Sequence, residues 1–382
     1  MTYLDHNASS PLRPEARAAM ERAFGVTGNP SSIHLEGRVA RAMIEDAREK
    51  VAALTGARPQ DVIFTSGGTE ANALGLWGAV QAAAEAEMRI TRIFVSAIEH
   101  DSVLAAACAL GERHPGVRVA NIPVTSDGVI DTSALEDLLR EGKGRVLVAV
   151  MAANNETGVI QPIDTIADLV RAYGGLLHVD SVQACGKIAV DAGMADYTAI
   201  SAHKIGGPQG IGALILNDDA PIAAQVLGGG QERGRRAGTE NIIGIAGFGA
   251  AAGAVQGDDT SSIQALRDRF EDHLGARHSD VVIFGYGAQR VCNTSNFSLP
   301  HLTAETAVMA LDLDGVMASS GSACSSGKVG PSHVLKAMGV SDEHARSALR
   351  ISFGWSSTEA DVDSALEALG RISARRRAPA AA

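Results

Sequence analysis

Two predicted strands are each followed by a residue that can do chemistry on a small molecule. Asp180 ends the run that begins at Leu176, and Lys204 follows the run Tyr197–Ser201 and precedes several glycines. A carboxylate there can pair with a cationic ring nitrogen, and a deprotonated lysine can form a Schiff base with an aldehyde. Each residue alone also has a structural explanation: a helix cap or buried ion pair for Asp180, and a surface position for Lys204.

A third segment, Ser66-Gly-Gly-Thr-Glu-Ala-Asn, lies between a predicted strand and a predicted helix. Glycines let the backbone approach a phosphate, and a helix N-terminus supplies free N–H groups. The spacing matches neither the Walker A nor the dinucleotide-binding motif, so it does not favour ATP or NAD. The alternative is a tight turn capped by Ser66 or Thr69. A phosphate cradle, an acid and a lysine together are what pyridoxal phosphate (PLP) requires.

Cys324 is the cysteine whose surroundings most favour reactivity. It lies in Ser319-Ser-Gly-Ser-Ala-Cys-Ser-Ser-Gly, whereas a buried structural cysteine normally has apolar neighbours. Small polar residues in a long loop suit a mobile nucleophile. The alanine-rich surroundings of Cys108 predict a helix core, and Cys185 and Cys292 are predicted packing thiols.

The composition excludes several classes of protein. The 382 residues include 33 basic and 44 acidic ones, a net charge of −11, which argues against direct nucleic-acid binding. Four scattered cysteines without a C-x-x-C pair argue against a disulfide framework and against a zinc site. The N-terminus lacks a basic region followed by an apolar one, and no apolar run is long enough for a bilayer. We therefore expect a cytoplasmic, reducing location and no membrane partner.

Strands alternate with helices up to about residue 255, which predicts an α/β fold with a mainly parallel sheet covered on both faces. The predicted strands are Val62–Thr65, Arg92–Ser96, Arg118–Asn121, Val146–Val150, Leu176–Val179, Tyr197–Ser201 and Ala213–Leu216. The predicted helices between them are Thr69–Glu87, Asp101–Glu112, Thr132–Arg140 and Ile163–Tyr173. Because ligands of such sheets bind at the carboxyl ends of the strands, we expect Asp180 and Lys204 to share one edge.

The remainder of the chain predicts a smaller α+β domain. Its predicted strands are Val281–Phe284, Ser295–Leu299 and Ala348–Ser352, and its predicted helices are Thr303–Leu311, Pro331–Met338 and one from Thr358. The basic run from Arg375 is predicted to be a frayed, solvated tail.

The order of several short motifs resembles cysteine desulfurases of the nitrogen-fixation and iron–sulfur-cluster type, in the class V aminotransferase family of fold-type I PLP enzymes. The motifs are Tyr3-Leu-Asp-His-Asn-Ala, Gly28-Asn-Pro-Ser-Ser-Ile-His, Thr65-Ser-Gly-Gly-Thr-Glu, Glu99-His, Asn154-Asn-Glu-Thr-Gly, His178-Val-Asp-Ser-Val-Gln, Ser201-Ala-His-Lys, Gly228-Gly-Gly-Gln-Glu-Arg-Gly-Arg-Arg-Ala-Gly-Thr and the Cys324 segment. The resemblance runs from Tyr3 to about Thr358. The departures are mild: His6, Ser9 and Ser10 replace other common residues, and Gly68 stands where alanine is common.

The resemblance implies a fold-type I PLP-transferase architecture in two domains. Residues 15–255 would form the large cofactor-binding domain around a mainly parallel seven-stranded sheet. Residues 1–14 and 256–382 would form a smaller α+β domain that carries the Cys324 loop.

The resemblance also implies roles for the residues around PLP. Lys204 would hold the cofactor as a Schiff base, Asp180 would keep its ring nitrogen protonated, and Gln183 would bond its phenolic oxygen. His100 would stack on the ring and help to move protons. The phosphate ligands would be Gly68, Thr69, Ser201 and His203.

Thr239 would reach the phosphate from a neighbouring subunit, which implies a homodimer with shared active sites. Asn155 and Arg350 would hold the substrate carboxylate, since the planar guanidinium matches a carboxylate. From the residues alone, His100 could instead be a core histidine, Asn155 part of a turn and Arg350 a structural ion pair.

The implied activity is conversion of L-cysteine to L-alanine, with the sulfur left as a persulfide on Cys324. The persulfide would pass to a sulfur-acceptor protein such as an iron–sulfur scaffold, and no metal site is predicted beyond transient contact of Cys324 with a cluster. Selenocysteine lyase or cysteine-sulfinate desulfinase activity on the same fold is an alternative, and a non-catalytic sulfur-transfer scaffold is another.

Overall fold

The computed structural model describes residues 1–217, 220–300, 302–321 and 332–377. Cys324 and most of its predicted loop lie outside these residues. The strands are β1 Thr2–Tyr3, β2 Val62–Thr65, β3 Ile90–Ser96, β4 Arg118–Ile122, β5 Arg145–Met151, β6 Leu176–Asp180, β7 Tyr197–Ser201, β8 Gly212–Leu216, β9 Val282–Ile283, β10 Thr294–Ser298, β11 Val316–Met317, β12 Ser319–Ser320 and β13 Ala348–Ser352.

The described residues also form twelve α-helices. They are α1 Pro14–Ala23, α2 Leu35–Leu54, α3 Gly68–Glu85, α4 Asp101–Arg113, α5 Thr132–Arg140, α6 Ile163–Ala172, α7 Ile242–Val255, α8 Thr260–Arg277, α9 Ala304–Leu313, α10 His333–Ala337, α11 Asp342–Arg346 and α12 Glu359–Arg377. The prediction of a frayed tail from Arg375 is wrong for the residues up to Arg377, which belong to α12, and the later residues lie outside the described part of the chain. None of the helices in the described part of the chain has both the length and the apolar composition needed to cross a membrane.

The central sheet confirms the prediction of a mainly parallel, seven-stranded sheet. Its strand order is β2-β8-β7-β6-β5-β3-β4. The direction of β8 is opposite to that of the other six strands. Both faces are covered by helices: in β5, Leu147 and Ala149 pack in the core with α3 and α4, while Val146 and Val148 pack in the core on the other face. Burial on both sides explains why these strands are nearly continuous apolar runs.

Helices α1, α2 and α7 were not predicted from the sequence. The glycines of α7 allow it to pack closely against α2. A Cβ atom on Gly249 would lie 2.5 Å from the Cα atom of Ala47 in α2. Glycine in α7 therefore lets two helix backbones approach each other, and the cost in helix propensity is offset by the contact.

A second, antiparallel sheet has the order β12-β13-β10-β9 and packs against α8, α9 and α12. The N-terminus joins this part of the molecule, since β1 pairs in parallel with β11 and Leu4 is fully buried in the same core. The next residues, from Asp5 onward, lead from this core toward the carboxyl edge of the central sheet. Asp5 makes a parallel bridge to Ser352, and the Ser10 amide donates to the His203 carbonyl.

We expect Gly249→Ala to destabilise the protein by about 1–3 kcal/mol, because an added methyl group would force α7 away from α2. Gly253→Ala is the matched control on the same helix, since its Cβ would meet only the end of the Lys50 side chain, at 3.9 Å. It should be neutral or should stabilise by about 0.5–1 kcal/mol through helix propensity. Urea unfolding of both variants measures the difference in their free energies of unfolding. Equal changes would show that the close contact between α7 and α2 does not require glycine at position 249.

Candidate active site

A cavity of about 240 Å³ opens at the carboxyl ends of the parallel strands. It brings together most of the residues predicted to act on the cofactor, namely Gly68, Thr69, His100, Asn155, Asp180, Gln183, Ser201, His203 and Lys204. It is also lined by residues with no predicted role: Asn72, Ser102, Met151, Ala153 and Val182. The predicted segments therefore meet in one site, although they lie up to 136 residues apart (68 to 204) in the chain.

The N-terminus of α3 forms one end of the cavity. The first helical hydrogen bond runs from the Ala71 amide to the Gly67 carbonyl, so the preceding amides of Gly68, Thr69 and Glu70 are available to an anion. A Cβ atom on Gly68 would lie 2.9 Å from a methyl carbon of Val182. Glycine therefore suits this crowded position, and it leaves a close approach to the backbone.

Asp180 lies at the end of β6 and is buried. Its Oδ1 accepts a hydrogen bond from the Val182 amide at 3.0 Å, and its Oδ2 accepts one from Asn72 Nδ2 at 2.8 Å. Both oxygens of this buried carboxylate therefore accept a hydrogen bond. Such a carboxylate fits a protonated pyridine nitrogen.

Glu99 is a second buried carboxyl group near Asp180. Its Oε1 accepts a hydrogen bond from the Met151 amide at 2.6 Å, and Oε2 has no partner among the described residues. Burial, reinforced by the negative charge of Asp180, raises the pKa of Glu99 well above its usual value. Burial therefore favours the neutral form of Glu99.

Lys204 reaches the cavity from the short 3-10 turn Ala202–Lys204 that follows β7. Its Nζ donates to the main-chain carbonyls of Asn7 at 2.5 Å and Ala8 at 2.9 Å. The N-terminal segment thus holds the amine in place. His203, beside it, has its pKa lowered to about 4 by burial and then by the positive charge of Lys204, so its ring is neutral.

Asn7 connects this lysine to both parts of the molecule. Its amide N–H donates to Ser352 Oγ at 2.9 Å, and its Nδ2 donates to Thr294 Oγ1 at 2.8 Å and to the Asn155 carbonyl at 3.2 Å. Its own carbonyl accepts from Gln183 Nε2 at 2.8 Å as well as from Lys204. The sequence indicated Asn7 only as part of the Tyr3-Leu-Asp-His-Asn-Ala motif, without a role.

Lys187 is a further, partly buried lysine that was not predicted. Its Nζ donates to Gln183 Oε1 at 2.6 Å and to Asn7 Oδ1 at 3.2 Å. It lines a second, smaller cavity behind Lys204, together with Cys185 and Cys292. Burial lowers the pKa of Lys187 from 10.5 to about 7, and the charges of Lys204 and Arg350 contribute in the same direction.

His100 is the N-cap residue of α4, and its Nδ1 lies 3.1 Å from the Ser102 amide nitrogen, which donates to it. Ser102 Oγ lies 2.8 Å from the same Nδ1 and accepts from Asn72 Nδ2 at 2.9 Å. Ser102 and Asn72 were not predicted. Asn72 lies one helical turn after Gly68 on α3, and this spacing is the one sequence signal that could have placed it in the site.

Three predicted residues do not line this cavity. Arg350 is fully buried beside it, with Nη1 donating to the Asn155 carbonyl at 2.9 Å and Nη2 to Asp5 Oδ1 at 2.8 Å. Thr239 is exposed on this chain. Cys324 lies outside the described residues.

The prediction of a helix core around Cys108 is wrong for the cysteine itself, which is exposed on α4. The two alanines before it, Ala106 and Ala107, are buried, whereas Cys108 lies on the exposed side of the helix. Cys185 and Cys292 are buried as predicted, and burial raises the pKa of both thiols, that of Cys185 to about 12. The part of the chain that the structure describes contains no group of three or more metal-ligating side chains.

The residues of the cavity fit PLP. The α3 N-terminus, with its glycine, offers amides to a phosphate, buried Asp180 offers a carboxylate to the ring nitrogen, and Lys204 offers an amine to the aldehyde. These three groups are the ones that PLP requires of a protein.

Known proteins resemble the chain over its full length. The family model described as aminotransferase class-V matches residues 2–365. The IscS-like cysteine desulfurase of Mycobacterium tuberculosis is 41% identical over 389 aligned positions, covering 100% of this chain and 99% of that protein. The solved NifS-like protein of Rickettsia africae has a TM-score of 0.88 at 33% identity, covering 98% of this chain and 99% of the other. A solved structure of SspA in complex with cysteine has a TM-score of 0.81 at 28% identity and covers 94% of this chain and 100% of its own.

We expect Lys187→Met to change how stability depends on pH. Because the pKa of Lys187 is about 7 in the folded chain and ordinarily 10.5, the unfolded chain binds the additional proton between these values. The wild type should therefore gain stability relative to the variant as the pH rises through this range. Melting temperatures of the two proteins at about pH 7 and about pH 9 measure the effect, which should amount to a few degrees.

Lys50→Met is the control for this experiment, because Lys50 is partly exposed on α2 and pairs with Asp46 at 2.6 Å. Its melting temperature should follow that of the wild type at both pH values. A constant difference between wild type and Lys187→Met would contradict a depressed pKa at Lys187.

Proposed function

The chain belongs to the class-V aminotransferase family, and from this premise we propose that it is a PLP-dependent cysteine desulfurase. It would convert L-cysteine to L-alanine and retain the sulfur as a persulfide on Cys324. The observation that carries the proposal is the meeting of Lys204, Asp180 and the α3 N-terminus in one cavity. Full-length relatives named cysteine desulfurase support the same reaction.

The cofactor would be held from three sides. Lys204 would bind its aldehyde, the α3 N-terminus with Ser201 and His203 would bind its phosphate, and Asp180 would pair with its ring nitrogen. When bound, PLP withdraws electrons from the substrate's α-carbon and so makes loss of the α-proton possible. Asp180 would support this chemistry by keeping the ring nitrogen protonated. Because burial raises the pKa of Glu99, Glu99 would not compete with Asp180 for the proton-bearing ring nitrogen.

The substrate carboxylate would be bound by Asn155 and Arg350. Asn155 lines the cavity, and Arg350 donates to its main-chain carbonyl. The Nε–H of Arg350 is buried and has no partner among the described residues, so the guanidinium has donor capacity left. The cysteine-bound SspA structure supports cysteine as the substrate.

Proton transfer would depend on Lys204, with His100 assisting. The carbonyls of Asn7 and Ala8 hold the Nζ of Lys204, which lines the cavity. From this position the free amine could accept the α-proton and return it to the substrate. His100 lies in the same cavity and would stack on the ring.

Sulfur transfer would occur at Cys324. Its thiolate forms a bond to the substrate sulfur, the carbon–sulfur bond breaks, and its electron pair stays on the substrate β-carbon. That carbon would take up a proton, the α-carbon would regain the proton held by Lys204 to complete alanine, and the sulfur would remain as a persulfide. An acceptor protein, such as an iron–sulfur scaffold, would then receive it.

The proposed homodimer rests on Thr239, which is exposed on its own chain and would contribute to the partner's phosphate site. The free thiols of Cys108, Cys185 and Cys292 support a reducing compartment such as the cytoplasm.

Lys204→Ala should abolish both the visible absorption of PLP linked to the protein and the release of alanine from L-cysteine. The loss of alanine release should be at least about 100-fold, the usual weight of a proton-transfer group. Absorption spectroscopy and alanine quantification measure the two effects. An unchanged spectrum would remove Lys204 from its role.

Cys324→Ser should keep the absorption of the bound cofactor but should release no sulfide from L-cysteine in the presence of a thiol reductant. Its matched control is Cys108→Ser, which changes an exposed thiol and should leave turnover unchanged. Rates on selenocysteine and on cysteine sulfinate distinguish the alternative activities, since only transfer from cysteine requires a nucleophilic thiol. Normal turnover of L-cysteine by Cys324→Ser would disprove the assignment.

A further inference from the structure

A chain of hydrogen bonds begins at Asp180, and the charge of this carboxylate sets its direction. An ionised carboxylate only accepts, so the group facing Asp180 Oδ2 at 2.8 Å must be the Asn72 amide nitrogen. Asn72 Oδ1 then faces His178 Nε2 at 2.9 Å, and His178 must donate. Burial lowers the pKa of His178 to about 4, which agrees with a neutral ring that carries its proton on Nε2.

The same amide determines the orientation of the Ser102 hydroxyl. Asn72 Nδ2 also donates to Ser102 Oγ at 2.9 Å, so the hydroxyl proton is free to point elsewhere. The next polar atom is His100 Nδ1, 2.8 Å from Ser102 Oγ. The backbone amide of Ser102 donates to this Nδ1 as well, at 3.1 Å. A ring nitrogen that accepts from an amide N–H cannot carry a proton of its own.

We propose that Ser102 is a positioning residue that, with Asn72, holds His100 as the neutral tautomer with its proton on Nε2. The proposal rests on the proposed function for the statement that His100 faces the cofactor and substrate. His100 then serves the cavity as a fixed hydrogen-bond donor. Lys204 would still accept the α-proton, and His100 would assist from its protonated Nε2, because its Nδ1 already accepts hydrogen bonds from Ser102.

The position of His100 in the fold supports the neutral ring. His100 is the N-cap residue of α4, a helix of 13 residues, and lies at the positive end of its dipole. A positive charge at this end of a helix is unfavourable. An imidazolium would also have to give up the hydrogen bonds from the amide and the hydroxyl of Ser102.

The tautomer can be read directly by NMR on the holoenzyme labelled with ¹⁵N-histidine. The shifts of the two ring nitrogens differ between protonated and unprotonated nitrogen, and the signals that disappear in His100→Gln assign the ring. We expect the wild type to show one neutral tautomer, protonated on Nε2. In Ser102→Ala the population protonated on Nδ1 should rise several-fold, because one of the two donors is lost, and Ser102→Thr should restore the wild-type pattern.

Ser133→Ala is the matched control. Ser133 is also the second residue of its helix, and its amide donates to the N-cap side chain of Asp131 at 3.0 Å, but its own side chain is exposed. This variant should leave the His100 signals unchanged. A His100 ring that is protonated on Nδ1 or doubly protonated at neutral pH would overturn the proposal, and so would an unchanged tautomer ratio in Ser102→Ala.

Kinetics provide a second readout. Ser102→Ala should lower kcat for alanine formation by roughly three- to tenfold, the weight of one hydrogen bond between neutral groups, with little change in KM. Ser102→Thr should recover most of the loss, and a loss that threonine does not recover would contradict the role of the hydroxyl. The NMR result is independent of turnover: a fixed tautomer in a protein that releases no alanine would disprove the proposed function and leave this inference intact.

Discussion

The polar interior around Asn7 is the constraint on which the rest of the site depends. Its backbone and side chain bond to Ser352 and Thr294 on one side and to Gln183 and Lys204 on the other. Buried polar groups are costly unless every partner is present. The amine of Lys204 is therefore oriented by Asn7. A small displacement of one sheet relative to the other would move this amine.

Burial favours the neutral form of two ionisable groups in and around the cavity, Glu99 and His203. Asp180 is the one carboxylate among the described residues that line the cavity. A single fixed negative charge gives the neighbouring dipoles an unambiguous direction. In a low-dielectric interior such preorganised dipoles need no rearrangement during a reaction.

Much of the fold and the site could be predicted from the sequence, and the omissions have physical reasons. Strands such as Val62–Thr65 and Tyr197–Ser201 were predictable because burial on both faces produces continuous apolar runs. Lys204 and Asp180 were predictable because parallel strands end at one edge. Helix α7 and the contacts of Asn72 were not predictable. Glycine is favourable at position 249 only because α2 packs against it, and the side-chain amide of Asn72 is oriented by Asp180, which lies far away in the chain.

The pairing of β1 with β11 has a consequence for how the protein is made. Thr2 and Tyr3 are translated more than 300 residues before their partners Val316 and Met317. Until then, the segment whose Asn7 and Ala8 carbonyls accept hydrogen bonds from Lys204 has no neighbouring strand to pair with. Contacts of such sequence separation form slowly and late. We therefore expect Lys204 to lack its complete pocket in a nascent or truncated chain. The site that would bind the cofactor forms only after Val316 and Met317 have been translated and β1 has paired with β11.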